Sequence, residues 1–251
     1  MGYSFVNCQQ LKSTSGNNVS GTLSATAGNA LFAPEAAYMG GDTTHTPTIS
    51  GGGTWTQDVS VNNFTDGTQT FNMACAISSC PSATGGSQTF TGASNASGGK
   101  GVQLSIYEFS GNPSSSIKDA NSPAAAYSNA NVTSETTNSL SNVTANALFI
   151  ALCQDADGSA AGTMTGTTTG WTYPALGKFT NGSTGGQEYG SGYNIVSSVA
   201  GQTSNWTISS SYAQAIIAVY KAAGGIPTRW LVGPSPGGPG NTWLVGPSVA
   251  P

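Results

Sequence analysis

Catalysis by side chains requires an acid, a base or a nucleophile within hydrogen-bond reach of one another, and this chain is poor in all three. Its 251 residues hold one histidine and ten carboxylates against six basic residues. His45 lies in "GGDTTHTPTISGGG", a turn-rich stretch, and reads as a loop histidine, exposed or hydrogen-bonded, not as a general base. Serine and threonine are abundant, but a serine nucleophile needs a partner base, and no GxSxG elbow stands between a strand and a helix. Glu35 and Glu108 are the best pair for two-carboxylate glycoside hydrolysis. Lys221 takes the place of Glu108 in the second half of the chain, so each glutamate is expected in a structural ion pair or facing solvent. Asp155 and Asp157 in "CQDADGS" begin like a calcium loop but lack the remaining oxygen ligands and the distal glutamate, and read as a turn. Cys8, Cys75, Cys80 and Cys153 show neither CxxC pairs nor neighbouring histidines, so a zinc site is not expected. Cys75 and Cys80 could staple a loop or stand as two buried thiols. The expectation is a protein that is not an enzyme, with no catalytic residue, cofactor or metal.

Composition narrows the partners. Only 6% of residues are charged, 35 are glycine, and solubility rests on hydroxyls and amides, as on many extracellular and virion surfaces built of short strands and turns. The basic residues Lys12, Lys100, Lys118, Lys178, Lys221 and Arg229 are scattered and form no patch able to neutralise several phosphates. No nucleic-acid partner is expected. No run approaches the roughly 18 apolar residues of a membrane span, and "MGYSFVNCQQLKSTSGNN" has neither the charged nor the apolar region of an export signal.

The elements that would position any site emerge when the chain is laid against itself. "NALF" at 29–32 returns at 146–149; "GTWT" ending at Thr56 returns as "TGWT" ending at Thr172; Phe90 is answered by Trp206, and Tyr107 in "LSIYEFSG" by Tyr220 in "IIAVYKAAG". Two copies of one β unit are therefore expected. The division is a first lobe at 1–112, a linker at 113–129 rich in Pro, Ser, Asn and Ala, a second lobe at 130–224, and a C-terminal arm at 225–251. Alternation in "VQLSIYEFS" and the β-branched run in "QAIIAVYKA" favour strands over helix. The fold class is all-β: two tandem antiparallel sandwiches, jelly-roll-like or immunoglobulin-like, standing side by side. Trp55, Trp171 and Trp206 are available as aromatic platforms for sugars, but Trp55 and Trp171 occupy matched positions, which favours core packing, and these two are expected to be equivalent core anchors.

The motifs "NALFAPEAAY", "GGGTWTQDV" and "LSIYEFSG", with "NALFIAL", "TGWT" and "AIIAVYKAA", resemble the two-lobed β-sandwich structural proteins of tailed phages and of environmental bacteria. The resemblance covers about residues 20–224 and implies a fold and a virion setting. It carries over no functional residue.

Outside it, the arm spells WLVGPS twice, with Trp230 and Trp243 thirteen positions apart and prolines at 227, 234, 236, 239, 247 and 251. The prolines exclude a helix or a central strand. Two apolar clusters, Trp230, Leu231 and Val232 and then Trp243, Leu244 and Val245, must be buried somewhere, and docking on neighbours is the expectation. The sequence thus reads as a non-enzymatic virion component, a capsid decoration or head or tail appendage, whose partners are copies of itself or another virion protein. The alternatives are a surface adhesin or carbohydrate-binding module meeting host-surface glycans, and an extracellular filament subunit.

Overall fold

A computed structural model describes residues 2–13, 16–40, 42, 44–65, 72–96, 101–111, 117–119, 124–142, 145–156, 164–174, 178–181 and 185–222. Its first half forms β1 (Ser4–Ser13), β2 (Asn18–Ala25), β3 (Ala30–Gly40), β4 (Thr48–Ser50), β5 (Thr56–Thr65), β6 (Asn72–Cys80), β7 (Gly86–Ala93) and β8 (Gly101–Ser110). The second half forms β9 (Ala124–Thr136), β10 (Leu140–Ser141), β11 (Ala147–Asp155), β12 (Thr165–Gly166), β13 (Lys178–Asn181), β14 (Gly185–Val196), β15 (Gly201–Gln202) and β16 (Asn205–Tyr220). All ladders among these strands are antiparallel, and "YAQAIIAVY" lies within strand β16.

Two large sheets dominate. One runs β1-β8-β3-β6-β5; in the other β16-β11-β14-β13 follow in order, with β9 and β12 both on β16. Smaller sheets, β2-β7-β4 and β10-β15, complete the fold.

The central strands are apolar on both faces, and period-two alternation sends each face to a different core. In β3 and β8, Leu31, Ala33, Ala37, Val102, Leu104 and Ile106 pack with Val19, Leu23 and Phe90 of the small sheet. The opposite face, with Phe32, Ala36, Tyr107 and Phe109, packs against Leu148, Ile150, Leu152, Ile216, Ala218 and Tyr220 of the second half. The outer face of β11 and β16, with Phe149, Ala151, Ile217 and Val219, meets Leu140 and Trp171. The halves are therefore stacked face to face through a common core and do not stand side by side. Each large side chain buried there contributes roughly 1.5–3 kcal/mol, so separating the halves would expose a face neither can afford to wet.

The boundary between the halves also shifts. β9 begins at Ala124, inside the stretch read as linker, and Ala124 pairs with Ile217. Ile117 is buried in the shared core, and its carbonyl accepts the Lys221 N–H at 2.8 Å.

Pro34 sits in the middle of β3, where it cannot donate to a ladder. The β3–β8 ladder accordingly omits Ala33 and Pro34, while Pro34 still faces Ile77 of β6. Nearby turns rely on glycine. Gly51 and Gly52 have φ of 92° and 71°, and a Cβ on Gly51 would lie 2.0 Å from the Thr89 carbonyl oxygen.

Candidate functional site

Glu35 and Glu108 do not assemble into a catalytic pair. Glu35 and Glu108 lie on the same face of the first large sheet, but Glu35 is in register with Leu104, four residues along β8 from Glu108. At about 3.4 Å per residue they stand about 14 Å apart, beyond the roughly 5–9.5 Å that glycoside hydrolysis uses. Both are fully buried, which corrects the expectation of an ion pair or a solvent-facing position. Glu108 Oε1 accepts the Thr26 N–H at 2.8 Å and the Asn29 amide at 2.6 Å, closing the turn before β3. Glu35 lies among Val19, Gly92 and Leu104, and neither of its oxygens has a hydrogen-bond partner. Burial holds its carboxyl well above the ordinary range.

His45 forms a surface pair with Asp42. Nδ1 lies 2.6 Å from Asp42 Oδ2, while Oδ1 accepts the Thr44 N–H and the Thr44 hydroxyl, each at 2.8 Å. Hydrogen bonds from the Thr44 backbone and hydroxyl, then from His45, hold Asp42 below the usual carboxylate range. In a triad the nucleophile faces the ring nitrogen opposite the carboxylate. Here the Thr44 hydroxyl is 3.0 Å from the same nitrogen that faces Asp42. The arrangement is a side-chain-capped turn.

Asp155 closes β11 and is fully buried, with Oδ1 accepting the Glu188 N–H at 3.1 Å across the β11–β14 ladder; it is not in a turn. Asp157 lies outside the described residues. The Cys153 thiol, on the same strand, is pushed up by burial and then by Asp155 and Glu135. Cys75 and Cys80, five apart on β6, point to opposite faces of the sheet: Cys75 joins the core between the halves and Cys80 the core under the small sheet. They cannot bridge, and all four cysteines are free thiols.

Polar chemistry concentrates instead where β3 leaves its ladder. The Tyr189 hydroxyl, from the second half, donates to the Pro34 carbonyl at 2.8 Å and lies 3.1 Å from Ser105 Oγ. Ser191 Oγ reaches Ser105 Oγ at 3.0 Å and the Tyr107 hydroxyl at 2.6 Å. Two further links cross the same boundary. Gln154 donates to the Ala37 carbonyl at 3.3 Å while accepting from Gln214 at 2.8 Å, and the Tyr220 hydroxyl donates to Asp58 at 2.8 Å. Burial raises the Asp58 carboxyl against the opposing effect of bonds from Ser79 and Tyr220 and the charge of Lys118. This buried network fixes the register of one half on the other.

The matched tryptophans differ. Trp171 is buried and stacks on Tyr173 at 6.2 Å, whereas Trp55 is half-buried at the rim of its core, its indole N–H donating to the Gly51 carbonyl at 2.7 Å. The reason is a partner the sequence comparison missed. Tyr173 lies edge-on to the buried Trp206 at 4.7 Å, in a slot where a Cβ on Gly166 or Gly192 would come within 2.3 or 2.5 Å of its ring. Among the described residues, first-half Trp55 meets the ring of Phe90, edge-on at 6.3 Å.

One exposed feature remains. The large hydrophobic residues exposed among those described are Phe5, Val6, Ile195 and Val199, and they fall on the start of β1, the end of β14 and the loop after it. Phe5 stacks on Tyr193 at 5.2 Å, two residues before Ile195. Val6 is the extra residue of a bulge, since β1 pairs Phe5 with Phe109 and Asn7 with Glu108. The described chain leaves beside this corner: the Lys221 carbonyl accepts the Tyr3 hydroxyl at 3.0 Å, and Ala222 is buried next to it. Trp230, Leu231, Val232, Trp243, Leu244 and Val245 lie outside the described residues. Comparison with protein-family models, curated proteins and solved structures returned no match.

Proposed function

We propose that this chain is a structural component of a particle, a virion decoration or appendage, that works by being a stable block and by self-association through its C-terminal arm. The observation that carries the reading is the common core. Two sheets stacked through Phe32, Phe109, Leu148, Ile216 and Tyr220 form one body. The buried polar groups support the same reading, since Ser105, Tyr107, Tyr189 and Ser191 are spent holding the halves together. The virion setting rests on the resemblance to tailed-phage structural proteins. The partners are further copies of the chain or another virion protein. The glycan-binding alternative draws less support, because Trp171 and Trp206, two of its three candidate platforms, are buried.

Imaging of the native assembly isolated from the producing cells tests this. The expected result is the chain at many regular positions on a larger particle. Recovery as an isolated monomer that binds a glycan array would overturn it in favour of the adhesin reading.

A further inference from the structure

Among the described residues, no strand of the small sheet β2-β7-β4 pairs with a strand of either large sheet, and no residue of those three strands belongs to the core that joins the halves. The small sheet rests on the first large sheet through Val19, Leu23, Ile49 and Phe90, which cover Leu31, Ala33, Ala37, Val102, Leu104 and Ile106. Such a layer can lift while the large ladders and the shared core stay intact, and units of this kind open at a lower free energy than the whole protein.

Glu35 lies under this layer. Its carboxyl is fully buried, neither oxygen has a hydrogen-bond partner, and Oε1 is 3.0 Å from the place a Cβ on Gly92 of β7 would take. β3 is flanked by β8 and β6, and its other face is closed by the second half, so the carboxyl meets water when the small sheet moves away. Among the described residues of the elements packed around it, no basic group faces it. β2, β4 and β7 contain no titratable residue. On the face of Glu35, β8 presents Glu108, about 14 Å away and bonded to Thr26 and Asn29. β6 presents Cys80, whose thiol donates to the Ser82 carbonyl, and β1 presents Leu11, in register with Leu104. Lys12 is in register with Gln103, on the opposite face of the sheet. From behind, β14 brings the Tyr189 hydroxyl to the Pro34 carbonyl and β11 the Gln154 amide to the Ala37 carbonyl; Cys153, Asp155 and Glu188 lie on the far face of those strands.

We propose that Glu35 makes the small sheet a pH-responsive layer, closed over the neutral carboxyl and lifting as a unit when the carboxyl ionises, which bares the apolar face of β3 and β8. In the closed form burial raises the carboxyl above its ordinary range, while in the open form it titrates near about 4.3. Above that value the open form has released a proton that the closed form keeps. The open population therefore grows about tenfold per pH unit until the raised value is passed. The layer is held fully at low pH and loosens as pH rises, whether or not the protein belongs to a particle.

Native-state amide exchange, read by NMR on the full chain and on Glu35→Gln, tests this, with Glu35→Leu as a second variant that cannot titrate. Dividing the wild-type rate by the variant rate at each amide cancels the intrinsic pH dependence of exchange. For the ladder amides of β2 and β7 this ratio is expected to rise about tenfold per pH unit from pH 5 upward. The ladder amides between β11 and β16 are expected to stay more protected than those of β2 and β7 at every pH. A ratio that stays flat from pH 5 to pH 8 against either folded variant would overturn the role of Glu35. Equal protection in the β2–β7 and β11–β16 ladders would mean that the small sheet opens only with the whole protein, and would overturn the layer as a separate unit.

Discussion

Glu35 offers the sharpest test of the packing, because a carboxyl without partners in an apolar core makes stability depend on pH with a defined sign. Its folded-state pKa is raised by burial, while in the unfolded chain it titrates near about 4.3. Above that value the folded state holds a proton that the unfolded state has released, so stability falls as pH rises. The loss is about 1.4 kcal/mol per pH unit, continuing until the raised folded value is passed. Glu35→Leu removes the group and its titration. A Cβ placed on Gly92 would lie 3.0 Å from Glu35 Oε1, 3.2 Å from Leu104 Cδ2 and 3.3 Å from Val19 Cγ1, so the leucine has apolar neighbours waiting. At pH 4, where the folded state and most of the unfolded state carry the proton, the variant is expected to gain little more than what burying an unbonded polar group costs, about 1–3 kcal/mol. From pH 5 upward the gain should grow with the slope just given. The assay is urea unfolding of both chains from pH 4 to pH 8. Asp58, also held high by burial, is present in both chains and cancels in the difference. Parallel stability curves for wild type and variant, or a variant less stable than wild type at pH 7, would refute the reasoning.

Three further outcomes follow from the same packing. Tyr189→Phe leaves the Pro34 carbonyl without its donor and should lower stability by about 1–3 kcal/mol while thermal unfolding stays a single transition; two separated transitions would show that the halves do not share a core. Trp171→Ala should cost about 3–5 kcal/mol, and Trp55→Ala, at a half-buried rim, clearly less; equal losses in chemical denaturation would mean the two sites are packed alike after all. Cys8 is pushed up to about 12 by burial, and the other three thiols are also raised by burial. Iodoacetamide at pH 8 should therefore label none of the four rapidly in the native protein and all four in denaturant, with rapid native labelling as the contrary result.

Much of the architecture was legible because strand burial leaves a period. "VQLSIYEFS" and "QAIIAVYKA" read as strands, and β8 and β16 are those strands. The stacking of the halves was not legible. A strand apolar on both faces says that something covers each face, and Phe32 and Leu148 carry no mark of covering each other. Glu35 misled because a charged residue next to a proline reads as surface, whereas Pro34 lies inside β3 and its carbonyl serves Tyr189 of the other half. Trp55 and Trp171 looked equivalent because matching their motifs ignored Tyr173, whose slot between Gly166 and Gly192 exists only in the folded chain. The exposed residues Phe5, Val6 and Ile195 had no linear signature, because the start of β1 and the end of β14 meet only in the folded chain, where Phe5 stacks on Tyr193.

The claim that the folded block is complete without the arm, and that the arm is what associates, is tested most directly by sedimentation velocity on the full chain and on a chain ending at Gly224, with thermal melting of both. The account predicts that the full chain associates, while the shortened chain sediments as a monomer and melts in one transition close to that of the full chain. A shortened chain that associates as the full chain does, or that is unfolded, would contradict it.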